Sequence, residues 1–228
     1  MLISHSHKFV TIDIQKTGTR SMRESLYPLG IIDVLGRADR HGEFYQHGTA
    51  LDAEREFHKR RTKSVGTDWN WQDYFKFSFV RDPWKRCVSF MLYRKERAEE
   101  YNNASDEEKV TWPQAKLNQG RSCLAWDKRF ETDKQKLVNS IETFDSQQQM
   151  ICDENDECMM DMLGDTSNFK ESFEQFCDAV NIDPIPEIIH GNKGTYTKPY
   201  TEYYDQETID MVALKEQWVI NKIGYDYE

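Results

Sequence analysis

The chain has 228 residues, 31% of them charged, and a formal net charge of −10 at pH 7. This length suits one α/β domain with a full hydrophobic core and is short for two. The acidic total argues against a broad nucleic-acid-binding surface, because such surfaces bind through cations that neutralise phosphates. No apolar run is long enough to span a bilayer, and the first residues lack the apolar core of a signal peptide. We therefore expect a single domain over residues 1–228, with no nucleic-acid partner and no membrane span.

The first predicted unit, Lys8 to Leu26, consists of a strand, a tight turn and a helix. Apolar and β-branched residues within Lys8–Ile14 indicate a short buried strand. Met22 and Leu26 are spaced to share one face of the helix that follows. The turn between strand and helix has the sequence KTGTRS, residues 16–21.

This turn has the composition of an anion-binding site. The first turn of a helix presents unpaired N–H groups and a partial positive charge, and a glycine such as Gly18 lets a phosphate approach the backbone. Lys16 adds a full charge, and Thr17, Thr19 and Ser21 add hydroxyl donors. We predict phosphate binding here, and an ordinary strand-to-helix turn with a solvated lysine is the alternative.

The turn is not the phosphate loop of kinases and NTPases. That pattern, G-x-x-x-x-G-K-[ST], places a glycine before the lysine, and no glycine precedes Lys16 anywhere in the chain. A kinase is therefore disfavoured, whereas another kind of phosphate-binding protein is not.

The next predicted elements lie between the two clearest units of the chain. A short strand is expected over Ile31–Leu35, and residues 36–48 have the composition of a loop. Thr49 can cap a helix from Ala50 to about Arg60. The basic run HKRRTK at the end of this helix is either a solvated terminus or part of a substrate-binding surface, and the sequence leaves both open.

A second strand–turn–helix unit begins with YFKFSFV, residues Tyr74–Val80, the clearest strand in the sequence. Pro83 suits the first turn of a helix, and apolar residues at helical spacing extend that helix to about Glu100. Charge is again concentrated at the turn. Candidate anion ligands are Arg81, Lys85, Arg86 and Ser89, of which Lys85 and Arg86 could equally face solvent.

The second half of the chain is less regular. Residues 102–131 are polar, and we expect a flexible excursion anchored by Trp112 and Trp126. A short strand is expected over Met159–Leu163. The helically spaced stripe Phe169, Phe173, Phe176 and Val180 predicts an amphipathic helix that contributes to the core. Asp205 is expected to cap a last helix that ends near Val219.

The five cysteines indicate the redox compartment. An odd number of scattered cysteines fits a reducing compartment better than a disulfide framework, so we expect a cytoplasmic protein. Cys152 and Cys158 flank the acidic turn DENDE and could pair with each other. That turn lacks the glycine of a calcium-binding loop, so an exposed acidic turn is the favoured interpretation.

Taken together, KTGTRS and FVRDPWKRCVS resemble the two cofactor-binding elements of sulfotransferases that use 3′-phosphoadenosine 5′-phosphosulfate (PAPS). The likeness is closest to the heparan and chondroitin sulfotransferases and their small bacterial relatives. His47-Gly-Thr-Ala resembles an H-x-T-A segment of those relatives, and HGNKGTY with the terminal IGYDYE resembles their closing loop and tail. The resemblance covers most of the chain and is poorest over roughly residues 100–145. It implies an α/β, three-layer, P-loop-like domain with a short central parallel sheet flanked by helices.

The resemblance also implies roles for individual residues. The 5′-phosphosulfate would be held by Lys16, Thr17, Gly18, Thr19, Arg20 and Ser21. The 3′-phosphate would be bound by Arg81 and Ser89. A loop that closes over the nucleotide would comprise Asn192, Lys193, Gly194 and Thr195.

The chain departs from the family pattern at three places. Arg20 stands where a smaller residue is commoner, and Gly194 stands in place of a serine. Gly164-Asp165-Thr166 replaces an Arg-x-Glu pattern ahead of the Phe169 helix. These changes affect the expected adenine contacts and acceptor side more than the phosphosulfate site.

The expected reaction is the in-line transfer of a sulfuryl group from PAPS to a hydroxyl of an acceptor, expected to be a saccharide. Lys16 would stabilise the charge that develops on the leaving oxygen, and a histidine would take the acceptor proton. His47 is the first choice by position and His41 the second. No metal is expected, because the histidines and cysteines lack ligand spacing. The alternatives are a nucleotide-dependent small-molecule kinase and a non-catalytic nucleotide-binding protein of the same fold.

Overall fold

The computed structural model describes residues 1–35, 47–63, 69–191 and 196–228. These residues separate into two compact units. The first is formed by the described residues up to Asp82 together with those from Asp145 to Gly191, and the second by Pro83–Phe144 and the residues from Tyr196 onward. The expectation of a single domain over the whole chain stays a prediction.

The first unit contains a five-stranded sheet in the order β3-β1-β2-β4-β5. The strands are β1 Leu2–Ser4, β2 Phe9–Thr11, β3 Val34–Leu35, β4 Phe75–Val80 and β5 Met162–Asp165. Strands β2, β4 and β5 are parallel, whereas β1 pairs antiparallel with both β2 and β3. The expected parallel sheet is therefore confirmed for three strands and wrong for β1 and β3, and the fold is mixed α/β.

The α-helices of the described residues are distributed over both units. In chain order they are α1 Thr19–Leu26, α2 Ala50–Lys63, α3 Pro83–Asn103, α4 Asp106–Val110, α5 Gln114–Arg129, α6 Asp133–Thr143, α7 Gln147–Ile151, α8 Phe169–Ala179, α9 Gln206–Lys215 and α10 Gln217–Ile223. Among them, none combines the length and the apolarity needed to cross a bilayer.

In the first unit, α1 and α8 bury their apolar residues against the sheet. The shared cluster includes Phe9, Met22, Leu26, Phe77, Phe79, Phe173 and Phe176. The rings of Phe9 and Phe176 meet edge to face at 5.2 Å, a favourable aromatic geometry. The prediction that the phenylalanine stripe of α8 belongs to the core is confirmed.

Strand β1 was not predicted, and β5 begins three residues later than expected. All three residues of β1 are buried, and the backbone N–H of Leu2 donates to Oγ1 of Thr11 at 3.0 Å. A buried strand of three residues shows no alternation of polar and apolar side chains, so its sequence carries no periodic signal. The predicted Thr49 cap is confirmed, because Oγ1 of Thr49 accepts from the N–H of Asp52 at 3.1 Å.

In the second unit, the segment expected to be a flexible excursion is helical, so that prediction is wrong. Ser105 and Glu108 form a capping box that starts α4. The following helix, α5, packs against α3 so closely that a Cβ atom on Gly120 would lie 2.5 Å from Cδ2 of Tyr101. Trp126 is buried, as expected of an anchor. Contacts with a distant helix, rather than local hydrophobic periodicity, stabilise this segment.

The end of the chain also forms helices. Asp205 caps α9, accepting from the N–H of Thr208 at 3.0 Å, so the predicted cap is confirmed. The helical segment is interrupted at Glu216, between α9 and α10. The carboxylate of Glu216 accepts from Nη1 of Arg86 at 2.7 Å, and both side chains are buried. Arg86 is thus a core residue and neither an anion ligand nor solvated.

All five cysteines are free thiols. Cys152 and Cys158 face each other across an isolated antiparallel bridge, without a disulfide bond. Asp153 closes the acidic turn between them by accepting from the N–H groups of Asn155 and Glu157 at 2.8 and 2.9 Å.

Candidate functional site

The candidate site lies at one edge of the sheet of the first unit. Because β2, β4 and β5 are parallel neighbours, their carboxyl ends meet at the same edge. The KTGTRS turn follows β2, Arg81 follows β4, and Thr166 follows β5. Ligands of open α/β sheets bind at this edge, so the topology brings the first predicted motif and Arg81 into one region.

The backbone of the KTGTRS turn is sharply folded. Lys16 has φ +67° and Gly18 has φ +76°, both in the left-handed region. Gly18 is the N-cap of α1 and provides no side-chain cap for the first helical turn. The N–H groups of that turn and the positive end of the helix dipole are therefore presented toward the loop. Lys16, three residues before the start of α1, is half-buried.

Gly18 also lies against the connection that follows β5. A Cβ atom on Gly18 would be 3.0 Å from Cε2 of Phe169 and 3.9 Å from Cγ2 of Thr166. Both the positive φ angle and this close approach favour glycine at the position.

Thr17 stabilises the loop from within. Its side chain is fully buried, and its Oγ1 donates to the backbone carbonyl of Ile14 at 2.9 Å. The hydroxyl proton is therefore used inside the loop, and the expectation that Thr17 adds a hydroxyl donor for an anion is not met in this geometry. Its backbone N–H is the group that remains for such a role.

Arg20 is paired with a neighbour on its own helix. Its Nε lies 2.6 Å from Oε1 of Glu24, one turn along α1, and the side chain is largely exposed. The two side chains lie over Gly191, where an added Cβ atom would be 2.7 Å from Oε2 of Glu24 and 3.1 Å from Cγ of Arg20. This pairing occupies one nitrogen of an exposed guanidinium, so the expected contribution of Arg20 to an anion site stays a prediction.

Two serines of α1 form hydrogen bonds with the segment that precedes residues 192–195 in the sequence. Oγ of Ser21 accepts from the N–H of Gly191 at 3.1 Å, and Oγ of Ser25 accepts from the N–H of Ile189 at 2.8 Å. A serine hydroxyl that accepts a hydrogen bond still has its own O–H to donate, so Ser21 keeps the chemistry expected of it. The predicted closing loop, Asn192, Lys193, Gly194 and Thr195, lies outside the described residues.

Arg81 connects the end of β4 to the KTGTRS turn. Its Nη1 donates to the backbone carbonyl of Lys16 at 3.1 Å. Its backbone is held by Gln147, whose Oε1 accepts from the Arg81 N–H and whose Nε2 donates to the Arg81 carbonyl, both at 2.9 Å. Sequence reasoning missed Gln147, since a single glutamine in a helical segment has no motif around it. Ser89, the other expected ligand of a 3′-phosphate, is a buried residue of α3 in the second unit.

His47 is held by the loop that follows β2. Its Nδ1 lies 2.7 Å from the backbone carbonyl oxygen of Asp13. A carbonyl only accepts, so Nδ1 carries the hydrogen, and in the neutral ring the lone pair is on Nε2. Burial lowers the pKa of His47, with the hydrogen bond to the Asp13 carbonyl opposing this effect. The unprotonated ring is therefore favoured at neutral pH. His41, the second choice for a base, lies outside the described residues.

The carboxylate of Asp13 is buried and contacts the Met1 amino group and Arg23. Burial by itself raises the pKa of Asp13, but the amino group of Met1 and then Arg23 lower it below its usual value. Arg23 of α1 donates to Oδ2 of Asp13 at 2.6 Å, which links the loop after β2 to α1. Asp13 and Arg23 were also missed, because residues ten positions apart in different elements show no recognisable spacing.

A model of the sulfotransferase family matches residues 1–218. The chain belongs to the sulfotransferase family. The resemblance drawn from KTGTRS and FVRDPWKRCVS is therefore confirmed at the level of the family. Comparison with curated proteins and with solved structures gave no match.

In this sulfotransferase, the geometry brings together backbone N–H donors, a lysine and an arginine at one edge of the sheet. Asp13 is the only acidic residue between Ile12 and Ser21, and it forms a salt bridge with Arg23. The KTGTRS turn itself, which has no acidic residue, thus suits an anionic ligand, while Asp82 and Asp165 stand at the carboxyl ends of β4 and β5. Within the part of the chain that the structure describes, no group of His, Cys, Asp and Glu residues is arranged to hold a metal ion.

Proposed function

We propose that this sulfotransferase moves the sulfuryl group of PAPS to a hydroxyl group of an acceptor, and that the acceptor is a saccharide. The observation that carries the proposal is the hydrogen bond from Arg81 to the Lys16 carbonyl, at 3.1 Å. It joins the two turns that the resemblance assigns to the two charged ends of PAPS.

The residues present fit the donor. The N–H groups at the start of α1, the Lys16 ammonium and the Ser21 hydroxyl form a donor set for the 5′-phosphosulfate. Arg81 is the candidate for the 3′-phosphate, since a guanidinium matches the geometry of phosphate oxygens. Ser89 and the loop 192–195 are assigned to the nucleotide by resemblance.

The chain's own residues supply two further functions. When bound, PAPS provides the sulfuryl group, which passes from the nucleotide's bridging oxygen to the acceptor oxygen. Lys16 stabilises the negative charge that develops on the bridging oxygen, as fixed cations do in phosphoryl transfer. Nε2 of His47 accepts the proton of the acceptor hydroxyl, a role that suits its low pKa and fixed tautomer.

The experiment that tests the proposal compares two nucleotides by isothermal titration calorimetry. The desulfated product, adenosine 3′,5′-bisphosphate, should bind the wild-type protein much more tightly than AMP. Arg81→Ala should weaken binding of the bisphosphate by about tenfold or more, because a charge-assisted hydrogen bond to phosphate is lost. Arg55→Ala, which removes an exposed arginine of the same unit, is the control and should change neither affinity.

Equal affinities of the wild-type protein for the bisphosphate and AMP would exclude PAPS as the proposed donor. A screen of saccharide acceptors with radiolabelled PAPS then separates an enzyme from a binding protein. Transfer of the label to a saccharide supports the full proposal. Tight binding without transfer to any hydroxyl acceptor would favour a non-catalytic protein.

A further inference from the structure

Arg81 has a second contact, with a buried side chain, that the proposed function does not use. Gln147 is fully buried at the start of α7, and its amide forms two hydrogen bonds of 2.9 Å to the backbone of Arg81. Resting on the proposed function, we propose that Gln147 is a positioning residue, which sets Arg81 in place to bind the 3′-phosphate of the nucleotide.

The two hydrogen bonds replace a sheet interaction at the point where β4 ends. Val80, the last residue of β4, pairs with Asp165 of β5, and Arg81 is the first residue beyond that ladder. The planar amide of Gln147 has one acceptor and one donor group, as a neighbouring strand would. It therefore holds the Arg81 backbone in a fixed orientation beyond Val80, where the pairing of β4 with β5 ends.

The orientation of the backbone determines where the guanidinium lies. With its N–H and carbonyl held by Gln147, Arg81 directs Nη1 to the Lys16 carbonyl at 3.1 Å. The side chain is thereby placed at the edge of the sheet where the KTGTRS turn also lies. Without the amide, the turn after β4 loses two part-buried hydrogen bonds, and the guanidinium would occupy a wider range of positions.

The start of α7 is ordered independently of Arg81. Ser146 and Gln149 form a capping box, with Oγ of Ser146 accepting from the N–H of Gln149 at 3.1 Å. This offers a matched control, because Gln149→Ala weakens the beginning of α7 without removing either hydrogen bond to Arg81. A general loss of the helix and a specific loss of Arg81 positioning can therefore be distinguished.

The test is a double-mutant cycle with four proteins: wild type, Gln147→Met, Arg81→Ala and the combination. Methionine keeps the volume of glutamine in the buried site and removes its amide. Gln147→Ala serves as a second variant, and thermal unfolding verifies that each protein folds. Affinities for adenosine 3′,5′-bisphosphate and for AMP are measured by calorimetry.

We expect Gln147→Met to weaken binding of the bisphosphate by about three- to tenfold and to leave AMP binding unchanged, because the effect passes through one charge-assisted contact. In the Arg81→Ala background, the same change should have no further effect. Gln149→Ala should behave as wild type in both affinities.

Three results would overturn the inference. The first is independent, additive losses from Gln147→Met and Arg81→Ala, and the second is an equal loss of affinity for the bisphosphate and AMP. The third is unchanged bisphosphate affinity in both Gln147 variants. If the wild-type protein does not bind the bisphosphate more tightly than AMP, the proposed function is wrong and this inference falls with it. If the wild type does prefer the bisphosphate and one of the three results above is found, only the inference about Gln147 is wrong.

Discussion

The ring of His47 donates a hydrogen bond from Nδ1 to the backbone carbonyl of Asp13, 2.7 Å away. This contact selects the tautomer with a lone pair on Nε2, which is the form that accepts a proton. Asp13 and Lys16 lie in the same short segment after β2. The candidate base, His47, is therefore hydrogen-bonded to the segment that contains the candidate charge stabiliser, Lys16. Their predicted functions nevertheless differ, and separate variants distinguish them.

Lys16→Ala should lower turnover strongly and weaken nucleotide binding only in part. The lysine is proposed to act where charge develops in the transition state, whereas the backbone N–H groups of α1 would still bind the phosphosulfate. Turnover and nucleotide affinity are measured for the same preparation. A variant that loses all nucleotide binding would assign Lys16 to ground-state binding instead.

His47→Ala should bind adenosine 3′,5′-bisphosphate nearly as the wild type does. Its turnover should fall by about 10²–10⁴-fold, the usual contribution of a general base. The residual activity should rise with pH as the acceptor hydroxyl ionises. Near-full turnover would place the base elsewhere, with His41 as the next residue to replace.

The pH dependence of the wild-type enzyme follows from the lowered pKa of His47. Burial favours the neutral ring, so the active form persists below the ordinary histidine value of 6.5 and is lost only as the pH falls through the lower pKa of His47. The acidic limb of the kcat/KM profile should therefore lie below pH 6.5. His58→Gln, a change at an exposed histidine, should leave this limb in place. An acidic limb above that value would contradict the assignment.

Gly18→Ala should destabilise the protein by more than the cost of its backbone conformation. An L-residue in the left-handed region costs about 1–2 kcal/mol, and here the new methyl group would also approach Phe169 to 3.0 Å. Gly224→Ala is the matched control, because Gly224 has φ +86° with no atom within 4 Å of an added Cβ. Chemical denaturation of both variants gives the comparison, and equal losses would mean that the contact with Phe169 adds nothing.

The buried pair of Arg86 and Glu216 should be sensitive to the loss of one partner. Arg86→Met leaves the Glu216 carboxylate buried without its cation and should cost about 3–5 kcal/mol in the free energy of unfolding. Adding Glu216→Leu should restore much of that loss, since neither charge is then buried. Lys170→Met removes one partner of an exposed helix pair and should cost less than about 1 kcal/mol. Additive losses in the double variant would contradict this interpretation.

Activity should be insensitive to EDTA, because the proposed charge stabilisation comes from Lys16 and the N–H groups of α1. The measurement is transfer from radiolabelled PAPS before and after dialysis against the chelator. Sulfuryl transfer that is abolished by EDTA and restored by magnesium would show that a metal ion takes part and would contradict this prediction.

Much of the local structure could be predicted from the sequence. The strand of β4, the helix after Pro83, the Thr49 and Asp205 caps and the phenylalanine stripe of α8 were all correctly placed. Each is determined by residues within a few positions of one another, through caps, helical spacing or β propensity. The family resemblance came from the same kind of information, since both motifs are short and continuous.

The remaining features depend on residues that are distant in the sequence. Gln147 is 66 positions from Arg81, and the helix α5 was missed because its order comes from packing against α3. The same holds for Arg86, whose type suggested an anion ligand but whose partner Glu216 lies 130 positions away.

The sequence alone determined which residue types stand at the two turns and that they resemble a sulfotransferase. Only the tertiary structure decided that the Thr17 hydroxyl bonds to Ile14, and that Arg86 is buried with Glu216. The physical reason is that a polar side chain forms its hydrogen bonds with whichever partners folding brings within about 3 Å, and sequence spacing does not specify those partners.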